Sequence, residues 1–188
     1  ATTLAAASTL LPRTLGAAAT QRPSDYPTDS FDPWIEVHAP TLAHNTREVA
    51  RVAGKRPILA VIKNNGYGLG GPTVARLLEP LPDVHGFAVV KLDEAVALRE
   101  RGIKKPVLLM GPFTTAELAT LTARDIMPMV YTPIGADLER AAASLAQPLD
   151  IHVCVDTGIG RVGVPYTEAA PLIRDLAARK NVRIAGVM

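Results

Sequence analysis

The chain has 188 residues, with 20 Lys plus Arg against 18 Asp plus Glu for a net charge of +2, and 48% of its residues are hydrophobic. So even a balance offers no basic stripe to track phosphates, and a nucleic-acid partner is not expected. A single cysteine closes no intramolecular disulfide and builds no Cys-rich zinc site, so no metal site is expected and the core must hold the fold by itself.

Ala1 to Leu11 carry no charge, and the small-residue stretch Gly16-Ala17-Ala18-Ala19 follows. Residues 1–19 read as the remnant of a signal peptide, with Ala17-x-Ala19 offering cleavage before Thr20 and a basic segment expected upstream. Their apolar core is far shorter than the roughly 20 residues that span a bilayer, so no stable membrane insertion is expected. Export implies a periplasmic or secreted protein. The alternative is a disordered Ala/Thr-rich leader or a plastid transit peptide, and with the leader uncleaved a cytoplasmic protein. Residues 20–33 combine Pro, Ser, Thr and Asp and read as an exposed linker. The folded domain is expected over 34–188.

With three Phe, one Trp and four Tyr, the core of that domain has to be aliphatic, as suits parallel α/β layers. Continuous apolar runs recur at Ile58–Ile62, Gly86–Val90, Val107–Met110, Met127–Val130, Ile151–Val155 and Ile184–Val187, and they read as strands buried on both faces. Helix-length segments lie between them. Asp93-Glu94 through Arg99-Arg101 to Gly102 runs from acidic to basic to C-cap, Thr114-x-x-Glu117 is a capping box, and Thr132-Pro133 reads as an N-cap with proline at the first helical position. Alternation at this spacing calls for right-handed crossovers and a parallel sheet, either open or closed into a barrel. The chain stops at Val187-Met188 within an apolar run, so a continuation is expected.

Two motifs carry chemistry. Lys63 ends the first strand and is followed by Asn64-Asn65-Gly66-Tyr67-Gly68-Leu69-Gly70-Gly71, with a helix expected from about Pro72. Ligands sit at the carboxyl ends of parallel strands, where a partly desolvated lysine suits Schiff-base chemistry and glycines let backbone N–H groups approach an anion. The bland reading is a solvated lysine followed by a turn. Asp156-Thr157-Gly158-Ile159-Gly160-Arg161-Val162-Gly163 follows the fifth strand and formally matches G-x-G-x-x-G. A dinucleotide fingerprint would open a helix at its glycines and place an acid about 20 residues on. Here Val164–Thr167 intervene and Val182–Val187 contain no acid, which argues against it.

Together, Lys63-x-x-x-Tyr67-Gly68-x-Gly70 and Asp156-Thr157-Gly158-x-Gly160-Arg161-x-Gly163 resemble the alanine racemases and related broad-specificity amino-acid racemases. The Leu92-Asp93-Glu94-Ala95 helix start and an incoming strand at Trp34-x-Glu36 match as well. The resemblance covers about Trp34 to Met188. It implies an α/β domain that is an incomplete (β/α)8 TIM-type barrel, with a β-rich C-terminal domain missing, and a pyridoxal 5′-phosphate enzyme interconverting L- and D-amino acids by two-base proton transfer. By resemblance, Lys63 carries the cofactor as an internal aldimine and serves as one base. Tyr67 hydrogen-bonds the cofactor phosphate, and Arg161 contacts its phenolic oxygen. The family also implies an amino-acid substrate and a homodimer at full length, with the present piece inactive alone. A non-catalytic pyridoxal-phosphate carrier of the same barrel fold is the alternative, and a barrel-type decarboxylase or aldolase a further one. Two departures stand out: Asn64-Asn65-Gly66 replaces the common Ala-Asp-Ala, and Leu69 stands where many members have His. In addition, Cys154 occupies the strand position of a lysine that supports the arginine in many alanine racemases. Cys154 itself reads as a small buried hydrophobe, and His152 as a hydrogen-bonded core histidine.

Overall fold

Each apolar run of the alternating region forms a strand in a computed structural model that describes residues 35–188. In chain order the strands are β1 (Ile58–Val61), β2 (Val84–Val89), β3 (Val107–Leu109), β4 (Met127–Val130), β5 (Leu149–Val153), β6 (Val155–Asp156), β7 (Val164–Pro165) and β8 (Val182–Val187). The helices are α1 (Ala39–Val52), the single turn α2 (Lys63–Tyr67), α3 (Gly71–Leu78), α4 (Leu92–Glu100), α5 (Leu118–Ala123), α6 (Gly135–Ala141) and α7 (Tyr166–Ala177). Six strands form one sheet in the order β1-β2-β3-β4-β5-β8, and every pairing is parallel. This is the expected α/β architecture, an arc of six of the eight strands of a (β/α)8 barrel.

Side-chain alternation along the central strands gives the sheet two apolar faces. Phe87, Val89, Leu109, Val130, Ile151 and Val153 pack with Leu98, Leu121, Leu138 and Leu176 of the helices. Ala88, Leu108, Met127 and Met129 form a second cluster, with Leu59, Met110, Tyr131 and Cys154 at its margin. Each large aliphatic side chain so buried contributes about 1.5–3 kcal/mol. The edge strands depart from the expectation of burial on both faces: Val61 on β1 and Val187 on β8 are exposed, because each edge has a strand neighbour on one side only.

Helix ends follow the sequence signals with one exception. Glu117 accepts hydrogen bonds from the Thr114 backbone N–H and hydroxyl, completing the expected capping box. Gly102, past the end of α4, has φ +85°, the conformation of a glycine C-cap. Thr132-Pro133, by contrast, does not open a helix. The Thr132 carbonyl accepts from Ile134 N–H at 2.8 Å in a tight turn, which postpones α6 to Gly135. The incoming strand is also absent at its described end. Ile35–His38 join no ladder, and Pro40 in the first turn of α1 starts a helix instead. Trp34, the signal-peptide reading of 1–19 and the linker reading of 20–33 lie outside the described residues.

Candidate functional site

Both chemistry-bearing segments emerge from carboxyl ends of strands. Ile62 N–H donates to Ala88 carbonyl at 2.9 Å, carrying the β1–β2 ladder one residue past β1 and delivering a half-buried Lys63 at the sheet's end. From there the backbone winds left-handed: Asn64 (φ 52°, ψ 53°), Asn65 (φ 54°, ψ 46°) and Gly66 (φ 63°, ψ 38°) are followed by Tyr67 at φ 55°. A left-handed residue with a Cβ costs about 1–2 kcal/mol, least for Asn, whose short polar side chain bonds locally, and glycine bears no such cost. Asn-Asn-Gly is therefore the composition such a turn favours, and Tyr67 is the one residue that adopts it against its intrinsic preference.

Hydrogen bonds fix the turn on all sides. Gly66 N–H donates to the Ile62 carbonyl at 2.9 Å, and Gly70 N–H to the Asn65 carbonyl at 2.8 Å. Asn65 Oδ1 accepts from Gly71 N–H at 2.9 Å, where α3 begins. Tyr67 is 63% exposed, so its ring and hydroxyl face outward rather than into the core.

The second segment, residues 157–163, connects β6 to β7, which pair with each other at Val155–Val164 and Asp156–Pro165. Asp156 Oδ1 accepts from Gly158 N–H at 2.9 Å and from Gly160 N–H at 3.1 Å. Those donors, Gly158 first, hold its carboxyl below the usual carboxylate range. The loop leaves Arg161 exposed, and among the described residues it makes neither ion pair nor side-chain hydrogen bond. The structure thus places Lys63 and Tyr67 on one turn and Arg161 on another loop of the same sheet end, with no hydrogen bond joining the two.

Residues 37–188 match the family described as alanine racemase, N-terminal domain. The chain belongs to that family. It is similar to alanine racemase 1 of Caldanaerobacter subterraneus subsp. tengcongensis, at 33% identity over 156 residues that cover 81% of this chain and 40% of that protein. The alanine racemase of Aquifex pyrophilus is 39% identical over 129 residues, covering 69% of this chain and 36% of its own length. Among solved structures, alanine racemase of Clostridium difficile 630 superposes with a TM-score of 0.72 at 28% identity, over 78% of this chain and 39% of that one. A histidine racemase from Leuconostoc mesenteroides subsp. sake gives a TM-score of 0.66 at 25% identity, over 77% and 39%. The chain spans about two-fifths of the length of these relatives.

Membership of the alanine racemase family makes the environment of Arg161 informative. Cys154 is not buried inside a strand. It sits in the break between β5 and β6, half-buried, where its N–H donates to the Val130 carbonyl at 2.9 Å and its thiol lies 3.8 Å from the Val162 carbonyl. The β5 ladder carries a register shift between Ile151 and His152, and Val155 pairs with Val164 instead, which interrupts the single strand expected over 151–155. Burial pushes the Cys154 thiol up and nearby Asp156 adds to this, outweighing the opposing charge of Arg161. A neutral thiol offers Arg161 no charged support. His152 differs too: it is half-buried, its ring lies over Gly186, and no hydrogen bond reaches that ring among the described residues. Two residues of the motifs carry more than sequence reasoning assigned them. Glu94 and Asp156 accept backbone N–H groups from the two loops; in the sequence they stand out only as members of the matching motifs, an acid at the third position of a helix and one two residues before a glycine.

Proposed function

We propose that this chain is the cofactor-binding barrel portion of a pyridoxal-phosphate-dependent amino-acid racemase acting on alanine or on a broader set of amino acids. The observation that carries the reading is a half-buried Lys63 delivered by a strand end onto a left-handed turn, with a cation, Arg161, that is unpaired among the described residues at the same end of the sheet. A primary amine, a phenol and a guanidinium suit a ligand that combines an aldehyde, a phosphate and a ring oxygen. When bound, pyridoxal phosphate supplies an electron sink that makes the substrate Cα–H acidic.

The residues' own parts follow from their chemistry. Lys63 would hold pyridoxal phosphate through Nζ, and its amine is the group placed to hold or return a proton at the substrate Cα. Tyr67, exposed at the end of the turn, would donate its hydroxyl to the cofactor phosphate. Arg161 is always charged and favours the deprotonated ring oxygen; with Cys154 beside it, its orientation rests on the Asp156-braced loop rather than on a neighbouring lysine. The second base comes from outside this chain, and with it a homodimer in the intact protein, so this piece alone is inactive. On the export reading of residues 1–19 the intact protein works outside the cytoplasm.

The test compares the intact protein with its Lys63→Ala variant. Borohydride reduction in the presence of pyridoxal phosphate should attach the cofactor to Lys63 in the parent, with loss of both the adduct and racemisation in the variant. An adduct at Lys63 in an intact protein that racemises no amino acid would favour the carrier reading instead.

A further inference from the structure

We propose that Glu94 is a positioning residue for Lys63, setting the reactivity of that amine by bracing the left-handed turn; this rests on the cofactor reading of Lys63. Glu94 stands in the first turn of α4, and one carboxylate oxygen serves that helix: Oε2 accepts from Lys91 N–H at 3.2 Å and Val90 N–H at 3.3 Å. A capping role needs no more than that. The other oxygen reaches across to a different element, where Oε1 accepts from Asn65 N–H at 2.9 Å. Asn65 lies two residues beyond Lys63, in the middle of the left-handed run.

The turn meets its neighbours unevenly. Gly66 packs tightly against Gly71 and Val74 of α3, whereas toward α4 the turn borders an open cleft of about 250 Å³ lined by Ile62, Asn65, Gly71, Pro72, Val89 and Glu94, and Glu94 Oε1 ties it to α4 there. Left-handed backbone is tolerated at Asn64 and Asn65 and disfavoured at Tyr67, and four such residues in succession persist only where surroundings hold them. With Glu94 removed, Asn65 N–H loses its acceptor and Asn64–Tyr67 relax toward right-handed or extended conformations. That relaxation turns the Lys63 side chain and the Tyr67 ring away from a common ligand. A comparable glutamate elsewhere in the molecule, Glu117, caps its own segment through Thr114 and makes no hydrogen bond to the Lys63 turn among the described residues, so it separates a capping effect from a positioning effect.

The experiment times the attachment of pyridoxal 5′-phosphate to the intact protein. Samples are quenched with borohydride at intervals, the fraction of Lys63 modified is read by peptide mass, and thermal melting is recorded for every variant. Glu94→Ala should slow Lys63 labelling at least tenfold and let other lysines compete for the cofactor. Glu117→Ala should label Lys63 within twofold of the parent even if it melts lower. Glu94→Gln keeps one carbonyl oxygen for either Asn65 or the α4 cap but not both, and should slow labelling at least threefold; it carries the test if Glu94→Ala does not fold. Labelling of either Glu94 variant within twofold of the parent, or equal slowing by Glu117→Ala, would overturn the inference. A parent that shows no Lys63 adduct would instead sink the proposed function, and this inference with it.

Discussion

Gly163 lies against the backbone of Asp156 so closely that a Cβ on Gly163 would stand 2.6 Å from the Asp156 nitrogen. Its φ of +125° is also one that L-residues rarely adopt. Contact and conformation therefore lock the two ends of the Arg161 loop together where β6 meets β7. Gly163→Ala should lower stability by about 1–3 kcal/mol in urea denaturation, since neither the strain nor a backbone clash has an easy release. It should also weaken cofactor retention in the intact protein. A variant with parental stability would show that the loop ends shift freely.

Arg99 yields a second expectation. Its guanidinium donates to four carbonyls, those of Ile103 (2.9 Å), Lys105 (2.8 Å), Arg124 (3.0 Å) and Asp125 (2.6 Å), tying the segment after α4 to the end of α5. Burial lowers its pKa somewhat, with Asp125 and Glu79 opposing, yet a guanidinium stays charged throughout the working range. Removing it leaves carbonyls without donors. Arg99→Ala should cost at least about 2 kcal/mol, and Arg99→Lys nearly as much, because an ammonium cannot span four acceptors in the plane of a fork. Equal denaturation midpoints for Arg99→Lys and the parent would contradict this.

The contrast between Arg99 and the strands shows where the sequence was readable. Apolar runs such as Met127–Val130 identify their strands because hydrophobicity is a local signal that parallel pairing simply uses. Capping boxes and the glycine after α4 were legible for the same reason. In sequence Arg99 looked like a basic residue complementing a helix end, since its partners at Arg124 and Asp125 lie 25 and 26 residues away. Lys63, Tyr67 and Arg161 were legible as a motif, but the left-handed winding that presents Lys63 was not. Asn-Asn-Gly announces a turn without saying that four successive residues share one unusual conformation. Glu94 was hidden in the same way, because its bond to Asn65 spans 29 residues.

The left-handed turn makes its own prediction. Asn64 is exposed at φ 52°, with no side-chain hydrogen bond among the described residues, so only its conformational tolerance is at stake. Asn64→Gly should be neutral or stabilising by up to about 1 kcal/mol. Asn64→Val should destabilise by about 1–2 kcal/mol, since a β-branched side chain tolerates this region worst. Both are read from urea midpoints. Equal stability of the glycine and valine variants would mean that the turn is not left-handed in solution.

The last expectation concerns pH. His152 points to the sheet face opposite the helices, over Gly186, where an added Cβ would meet its ring at 2.6 Å. Burial lowers its pKa below the ordinary 6.5; Asp150 works against this, and His85 adds to the lowering. Asp150 is already engaged by Arg183 through both oxygens, at 2.5 and 2.7 Å, which leaves less of its charge for the imidazole. The sign follows from linkage. With a depressed native pKa, the unfolded chain binds this proton more readily than the folded one, so stability rises with pH through the window. The contribution is fully present above about 6.5, declines as pH falls below it, and stops changing once the native imidazole protonates as well. Denaturation midpoints of the parent should therefore drop between pH 7.5 and 5.5. His152→Gln removes the titration and should flatten that slope without abolishing folding. An undiminished slope in the variant would assign the acid sensitivity to another group.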